Sequence, residues 1–254
     1  MPIPKKIHYV WVGDAEIPIA DKKYIAGWRK LNPDYEIRQW TEKDIDLNKY
    51  PLVATALKRK RWALASDIIR MYAIYKEGGI YMDTDVELLK PLDDLLKYDA
   101  FAGWEAQYWF TTAIFGAEKH SQWIRKILKR YELADPNKSI TATTFMKTVH
   151  SPSVYAQDIY HIDLDGQTRV YGDNMFATFA PEYFSPKHYV TGDENVTKNT
   201  IAFHHYASTW HTPSIMIKSK LSSTGRKILG PEGYRVFEKS YHASMERKIR
   251  KELP

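Results

Sequence analysis

The chain has 254 residues, 44% hydrophobic and 27% charged, enough to bury a large core as one domain or two small ones. It contains no cysteine, which excludes disulfides, thiolate catalysis and cysteine-bound zinc and fits a reducing compartment. The net charge is +6, and residues 213–254 alone hold ten Lys or Arg against four Glu. The rest is balanced and lacks the spread basic face of a nucleic-acid enzyme.

The opening stretch, MPIPKKIHYVWVG, has no basic region followed by an apolar run, so no signal peptide is expected. No apolar stretch approaches the ~18–20 residues of a membrane span. Ile7 to Gly13 is apolar on both faces and predicts a central strand. Ile19 to Asn32 predicts a helix that Asn32-Pro33 closes. Tyr35 to Trp40 alternates as a strand does, so strand, helix and strand suggest a βαβ unit and a parallel sheet. Residues 51–76 read as helical, with a loose break at the solvated basic run Lys58-Arg59-Lys60-Arg61. From Trp62 the apolar side chains fall at helical spacing until Glu77-Gly78-Gly79 stops them.

Ile80-Tyr81-Met82 then reads as a brief buried strand that runs out at Asp83-Thr84-Asp85. In an extended segment the two carboxylates point the same way and repel each other unless a cation lies between them. Carboxylate and water oxygens suit Mg²⁺ or Mn²⁺. A turn in which Asp85 caps the next segment is the alternative, since the tripeptide alone is common.

Val86 to Leu92 continues as a strand into a turn. Ala100 to Glu105 is a strand with an acid near its end, Phe110 to Gly116 another strand, and His120 to Leu133 a helix. Residues 150–200 look irregular, with short strands and turns at 170–173 and 180–186. Ile201 begins a strand that leaves as a loop by Trp210. Beyond Thr212-Pro213 the apolar residues Ile228, Tyr234, Phe237, Tyr241, Met245 and Ile249 recur at helical spacing. That basic amphipathic segment either packs on the domain or meets an anionic membrane.

The string Ala65-Ser66-Asp67, Arg70, Tyr75, Gly78-Gly79, Tyr81, Asp83 and Asp85 resembles the signature of glycosyltransferase family 32. Residues 201–210 are similar to that family's closing His-x-x-x-Ser-x-Trp region. The resemblance implies a GT-A fold: an α/β domain with a mixed, mostly parallel sheet flanked by helices. One domain is expected over 1–254, with a nucleotide-sugar half (1–90), an acceptor half and closing loop (91–212), and a basic helical extension (213–254). The cofactor implied is Mn²⁺ or Mg²⁺, and the function a retaining transfer of a hexose from a nucleotide diphosphate sugar, UDP favoured, to a glycan or lipid-linked acceptor. Surface polysaccharide synthesis in the cytoplasm, with peripheral contact at the inner face of the membrane, is the setting expected.

Carried over residue by residue, Asp83, Asp85 and Arg70 are the expected catalytic group. Asp85 is the main metal ligand, and Asp83 holds ribose and metal-bound water. Asp67 meets ribose and sugar hydroxyls, and Arg70 the sugar or pyrophosphate, for which a guanidinium is suited. Trp11 lies near the base or ribose and Tyr81 on the donor side. Ser208 donates to the diphosphate and Trp210 to the leaving oxygen. Adjacent strand residues face opposite ways, so one of His204 and His205 should join the metal; its distance to Ser208 selects His205. Thr111 or Thr112 stands where many relatives have Asn, which leaves the acceptor side open. A toxin-like protein glycosyltransferase and a non-catalytic sugar-nucleotide-binding protein are the alternatives. A metal-dependent phosphohydrolase would want more carboxylates and histidines near Asp83.

Overall fold

In β1 (Lys6–Val10) and β2 (Glu36–Trp40) the strands lie parallel, Ile7 opposite Ile37, and α1 (Ile19–Leu31) connects them. This is the βαβ unit expected from the alternation of the two strand patterns. A computed structural model describes residues 3–106, 108–136, 142–173, 175–188 and 192–207, and in the C-terminal segment 230, 233, 236, 237 and 239–251. The basic run separates α2 (Pro51–Lys58) from α3 (Trp62–Glu77), and Lys60 between them has a φ of 53°. Gly78 ends α3 at φ 67°, its N–H bonded to the Ile74 carbonyl at 2.8 Å. A Cβ at Gly78 would stand 2.7 Å from the Lys119 nitrogen, and one at Gly79 2.8 Å from the Lys6 carbonyl. Only glycines allow the helix to turn directly into β3 (Gly79–Met82), which joins the sheet parallel to β1.

After β4 (Val86–Leu88) come β5 (Ala100–Ala106), β6 (Trp109–Ala117), α4 (Gln122–Glu132), α5 (Ala142–Tyr160), β7 (Arg169–Tyr171), β8 (Phe176–Phe179), α6 (Pro181–Phe184) and β9 (Ala202–His204). Seven strands form one sheet in the order β2-β1-β3-β6-β5-β8-β7, and β4 pairs with β9 in a separate two-stranded ribbon. The sheet is mixed as expected, but evenly so. The pairs β1–β2, β1–β3 and β5–β8 are parallel, whereas β3–β6, β5–β6 and β7–β8 are antiparallel. The tight connection between β5 and β6 forces the antiparallel hairpin at the centre.

Alternate side chains divide the core between the two faces. Val10, Tyr81, Ala102 and Phe115 pack with Ile69 of α3, Trp123 of α4 and Tyr155 of α5. Ile7, Met82, Phe101 and Ile114 pack with Trp28 of α1 and Phe184 of α6. The stretch expected to be irregular begins inside α5, which continues through Pro152. Proline removes a helical N–H, and the Ser151 hydroxyl donates instead to the Thr148 carbonyl at 3.3 Å. Residues 180–186, expected as strands and turns, contain the single helical turn α6 with Pro181 at its start.

Residues 239–251 are helical up to Arg250 and lie against α5. Met245 and Ile249 are buried, and Arg250 pairs with Asp158. Of the two readings left open, packing on the domain describes this part. No helix among the described residues is long and apolar enough to cross a membrane.

Candidate active site

Because β1, β2 and β3 run parallel, Trp11, Thr41 and Asp83 leave the sheet on the same edge. That carboxyl edge is where open α/β sheets bind ligands. α3 passes beside it and supplies Asp67 and Arg70, both buried. The Arg70 guanidinium lies 3.1 Å from Asp67 Oδ1 and 3.2 Å from Asp83 Oδ1. It also donates to the Thr112 carbonyl at 2.7 Å. That carbonyl is offered by a distortion in β6: Ala102 pairs with Phe115 but Trp104 with Phe110, so β6 carries extra residues through 111–113. The Ala113 carbonyl in the same bulge accepts the Asp83 N–H at 2.8 Å.

The Tyr81 hydroxyl donates to Asp83 Oδ1 at 2.7 Å, and the Arg70 guanidinium lies over its ring, 4.7 Å from the centroid. Tyr81 is 1% exposed, so its observed contact is with Asp83 rather than with the open edge where a donor contact was expected. Burial pushes the Asp67 carboxyl up to about 6 against the pull of Arg70. Asp67 Oδ2 is buried with no hydrogen-bond partner among the described residues. Burial also raises Asp83, with Arg70 opposing and Asp85 adding to the shift.

Asp83, Asp85 and His204 offer ligand atoms that all lie within 4.8 Å of one another. Two carboxylate oxygens and an imidazole nitrogen are a donor set that fits Mn²⁺ or Mg²⁺ with waters or phosphates completing the shell. His204, not His205, occupies this position. His204 Nε2 is 3.5 Å from Asp85 Oδ1, and its buried Nδ1 has no partner among the described residues. His205 turns away: its Nε2 lies 2.9 Å from Glu87 Oε2, and its ring stacks on Tyr24 at 4.7 Å. The choice of His205 rested on its distance to Ser208, but the backbone turns between them, with Tyr206 at a φ of 51°. The His-x-x-x-Ser-x-Trp spacing, counted back from Ser208, lands on His204 and carried the better signal.

Burial works to raise Asp85, but the His204 ring and the Ala207 N–H, which donates at 2.8 Å, hold its carboxyl below the usual range. His204 shows the mirror image. Burial lowers it, while Asp85, Asp83 and Glu105 together raise it. Glu105, the acid noted near its strand end, is therefore part of this electrostatic group. Trp104 pairs with Phe110 and Ala106 with Trp109, which makes Glu105 an extra residue in β5. Four carboxylates, Asp67, Asp83, Asp85 and Glu105, face one guanidinium and one imidazole, an imbalance that favours a bound cation.

Trp11 lines a cavity of about 460 Å³ with Gly13, Glu16, Lys22, Gln39 and Thr41 at the ends of β1 and β2. Its indole N–H is committed to the Ala15 carbonyl at 2.6 Å. Ser208 and Trp210 lie outside the described residues.

Residues 18–102 match the family described as "Glycosyltransferase sugar-binding region containing DXD motif". The chain is 29% identical over 134 residues to inositol phosphoceramide mannosyltransferase 3 of Schizosaccharomyces pombe, covering 50% of this chain and 36% of that protein. It is 31% identical over 106 residues to the initiation-specific alpha-1,6-mannosyltransferase of Candida albicans, covering 38% of this chain and 28% of that one. The chain thus spans about a third of the length of these curated relatives. Among solved structures, PaToxG glycosyltransferase superposes with a TM-score of 0.49 at 18% identity, over 61% of this chain and 68% of that one. Residues 18–102, which contain Asp67, Arg70, Asp83 and Asp85, are thus similar to the glycosyltransferase sugar-binding region marked by the Asp-x-Asp motif.

Proposed function

We propose that the protein is a metal-dependent glycosyltransferase that moves a hexose from a nucleotide diphosphate sugar to a glycan or lipid-linked acceptor, with retention of configuration. The observation that carries this reading is the cluster of Asp83, Asp85 and His204 on the ligand-binding edge of the sheet, backed by Asp67 and Arg70. Asp85 and His204, with Asp83 beside them, would hold Mn²⁺ or Mg²⁺. When bound, such an ion supplies positive charge against the departing diphosphate.

The chain's own residues do the rest. Asp67 Oδ2, buried and without a partner among the described residues, accepts a hydrogen bond from a hydroxyl of the donor. Arg70 fixes Asp67 and Asp83 in mutual register, and Tyr81 fixes Asp83 from below. Trp11 offers a ring face to the base or ribose in the adjoining cavity. Ser208 and Trp210 are assigned to the diphosphate and the leaving oxygen. A UDP-sugar is the favoured donor, and the mannosyltransferase relatives add mannose to the sugars to test. The reading sets the enzyme in surface polysaccharide synthesis in the cytoplasm, with its basic C-terminal segment against anionic lipid.

The test is a thermal-shift panel of UDP- and GDP-sugars with and without Mn²⁺. A ligand that binds only the folded state raises the midpoint by mass action. Stabilisation by one nucleotide sugar that requires the metal is expected; no shift with any donor contradicts the reading.

A further inference from the structure

The middle residue of the Asp-Thr-Asp motif is not a spacer. Thr84 is buried, and its hydroxyl donates to Asp21 Oδ2 at 2.6 Å. Asp21 stands in the first turn of α1 and is only 2% exposed. Such a buried carboxylate is costly to keep unless a partner satisfies it, and the partner here is the residue between the two carboxylates of the motif.

Two further contacts come from the same face of the helix. Tyr24, three residues on, stacks against His205 with ring planes 11° apart and centroids 4.7 Å apart. Trp28, seven residues on from Asp21, donates its indole N–H to the Val86 carbonyl at 2.7 Å. Positions at this spacing share one face of a helix. That face therefore touches the turn at Thr84, the start of β4 at Val86, and the exit of β9 at His205. β4 and β9 are themselves in register, Val86 opposite His204, and the His205 N–H donates to the Asp85 carbonyl at 3.1 Å.

We propose that α1 is the positioning element of the metal site, and that the Asp21–Thr84 hydrogen bond sets the distance between the Asp83 and Asp85 carboxylates. Asp21 and Thr84 are positioning residues: neither belongs to the ligand cluster. In a turn of three residues, fixing the central side chain to a rigid helix restricts the rotation that would let the flanking carboxylates spring apart. The inference rests on the reading of Asp83, Asp85 and His204 as a metal site.

The experiment is Mn²⁺ binding to the metal-free protein, followed by the electron paramagnetic resonance of the free ion, so that turnover is not the readout. Thr84→Val keeps the shape and removes the hydroxyl. Thr84→Ser restores the hydroxyl without the methyl. Asp21→Asn keeps an acceptor oxygen and removes the charge, whereas Asp21→Ala removes both. Thr84→Val and Asp21→Ala should each weaken Mn²⁺ about tenfold or more, the usual cost of losing an outer hydrogen bond at a metal site. The double variant should lose no more than either single one, because both break the same bond. Thr84→Ser and Asp21→Asn should bind nearly as the parent does.

Mn²⁺ affinity unchanged in Thr84→Val overturns the inference, even where its thermal midpoint falls, since a purely structural hydroxyl would lower stability alone. Equal loss in Asp21→Asn and Asp21→Ala overturns it too, by showing that charge and not the bond matters. If the parent binds no Mn²⁺, the metal-site reading fails and the inference with it. Parent binding that Asp85→Asn abolishes keeps that reading, and the Thr84 series then decides the inference alone.

Discussion

Substituting His204 and His205 one at a time separates two neighbours that point apart. His204→Ala should raise the Mn²⁺ concentration for half-maximal donor turnover by about tenfold or more, as removal of a ligand implies. His205→Ala should leave it within about twofold, since a half-exposed pair with Glu87 contributes little. Metal titrations of both variants check this, and the reverse pattern contradicts the placement. Arg70→Met tests the other side of the site. It leaves the buried Asp67 and the partly exposed Asp83 without their guanidinium, which should cost roughly 3 kcal/mol of stability in urea unfolding. At this scale the sequence was legible where a residue type carried its own chemistry, as at Asp67, Arg70, Asp83 and Asp85. It was not legible at Asp21 or Glu105, whose roles depend on strands and helices far away in the chain.

Among the elements, the junction of α3 and β3 is the one most completely written in the sequence. Helical spacing, two glycines and a short apolar run leave a single path. Gly78→Ala should therefore destabilise the protein by about 1–3 kcal/mol, because a positive φ is strained for alanine and its Cβ meets the Lys119 backbone. A denaturant midpoint equal to the parent's would contradict that. α5 was hidden by Pro152, because the proline and the Ser151 that satisfies the carbonyl it leaves open look like turn residues in sequence.

The contact between α5 and the helix at 239–251 contains a hydrogen bond between His150 Nδ1 and His242 Nδ1 of 2.8 Å. Burial holds both rings below the usual histidine value, His150 at about 3. Between there and about 6.5 the unfolded chain binds more protons than the folded one, so stability falls as pH drops through that window. His242→Phe should flatten the acid slope of the unfolding free energy; an unchanged slope would show that other groups set it.

The whole molecule places its chemistry at one edge of a mixed seven-stranded sheet, with separate cores on the two faces. The parallel half, β2-β1-β3, was readable because each strand is followed or preceded by its own helix. The remainder was not: the antiparallel β5–β6 hairpin and the return of β8 beside β5 depend on pairings that no local pattern announces. The C-terminal segment joins the core through Ile249, so the lipid contact proposed for it must be made by its other face. Sedimentation with anionic vesicles should show binding that fades with salt, as basic clusters act within a Debye length; no binding at low salt leaves packing as its role.

The proposed function requires that Asp85 and its neighbours serve metal-dependent transfer from a nucleotide sugar. The most direct measurement is release of nucleoside diphosphate from a panel of nucleotide sugars, comparing the parent with Asp85→Asn in the presence of Mn²⁺ and after chelation. Release with one sugar is expected, together with its loss on chelation and its loss in a folded Asp85→Asn. Release that persists in that variant, or that ignores the chelator, would contradict the proposed function.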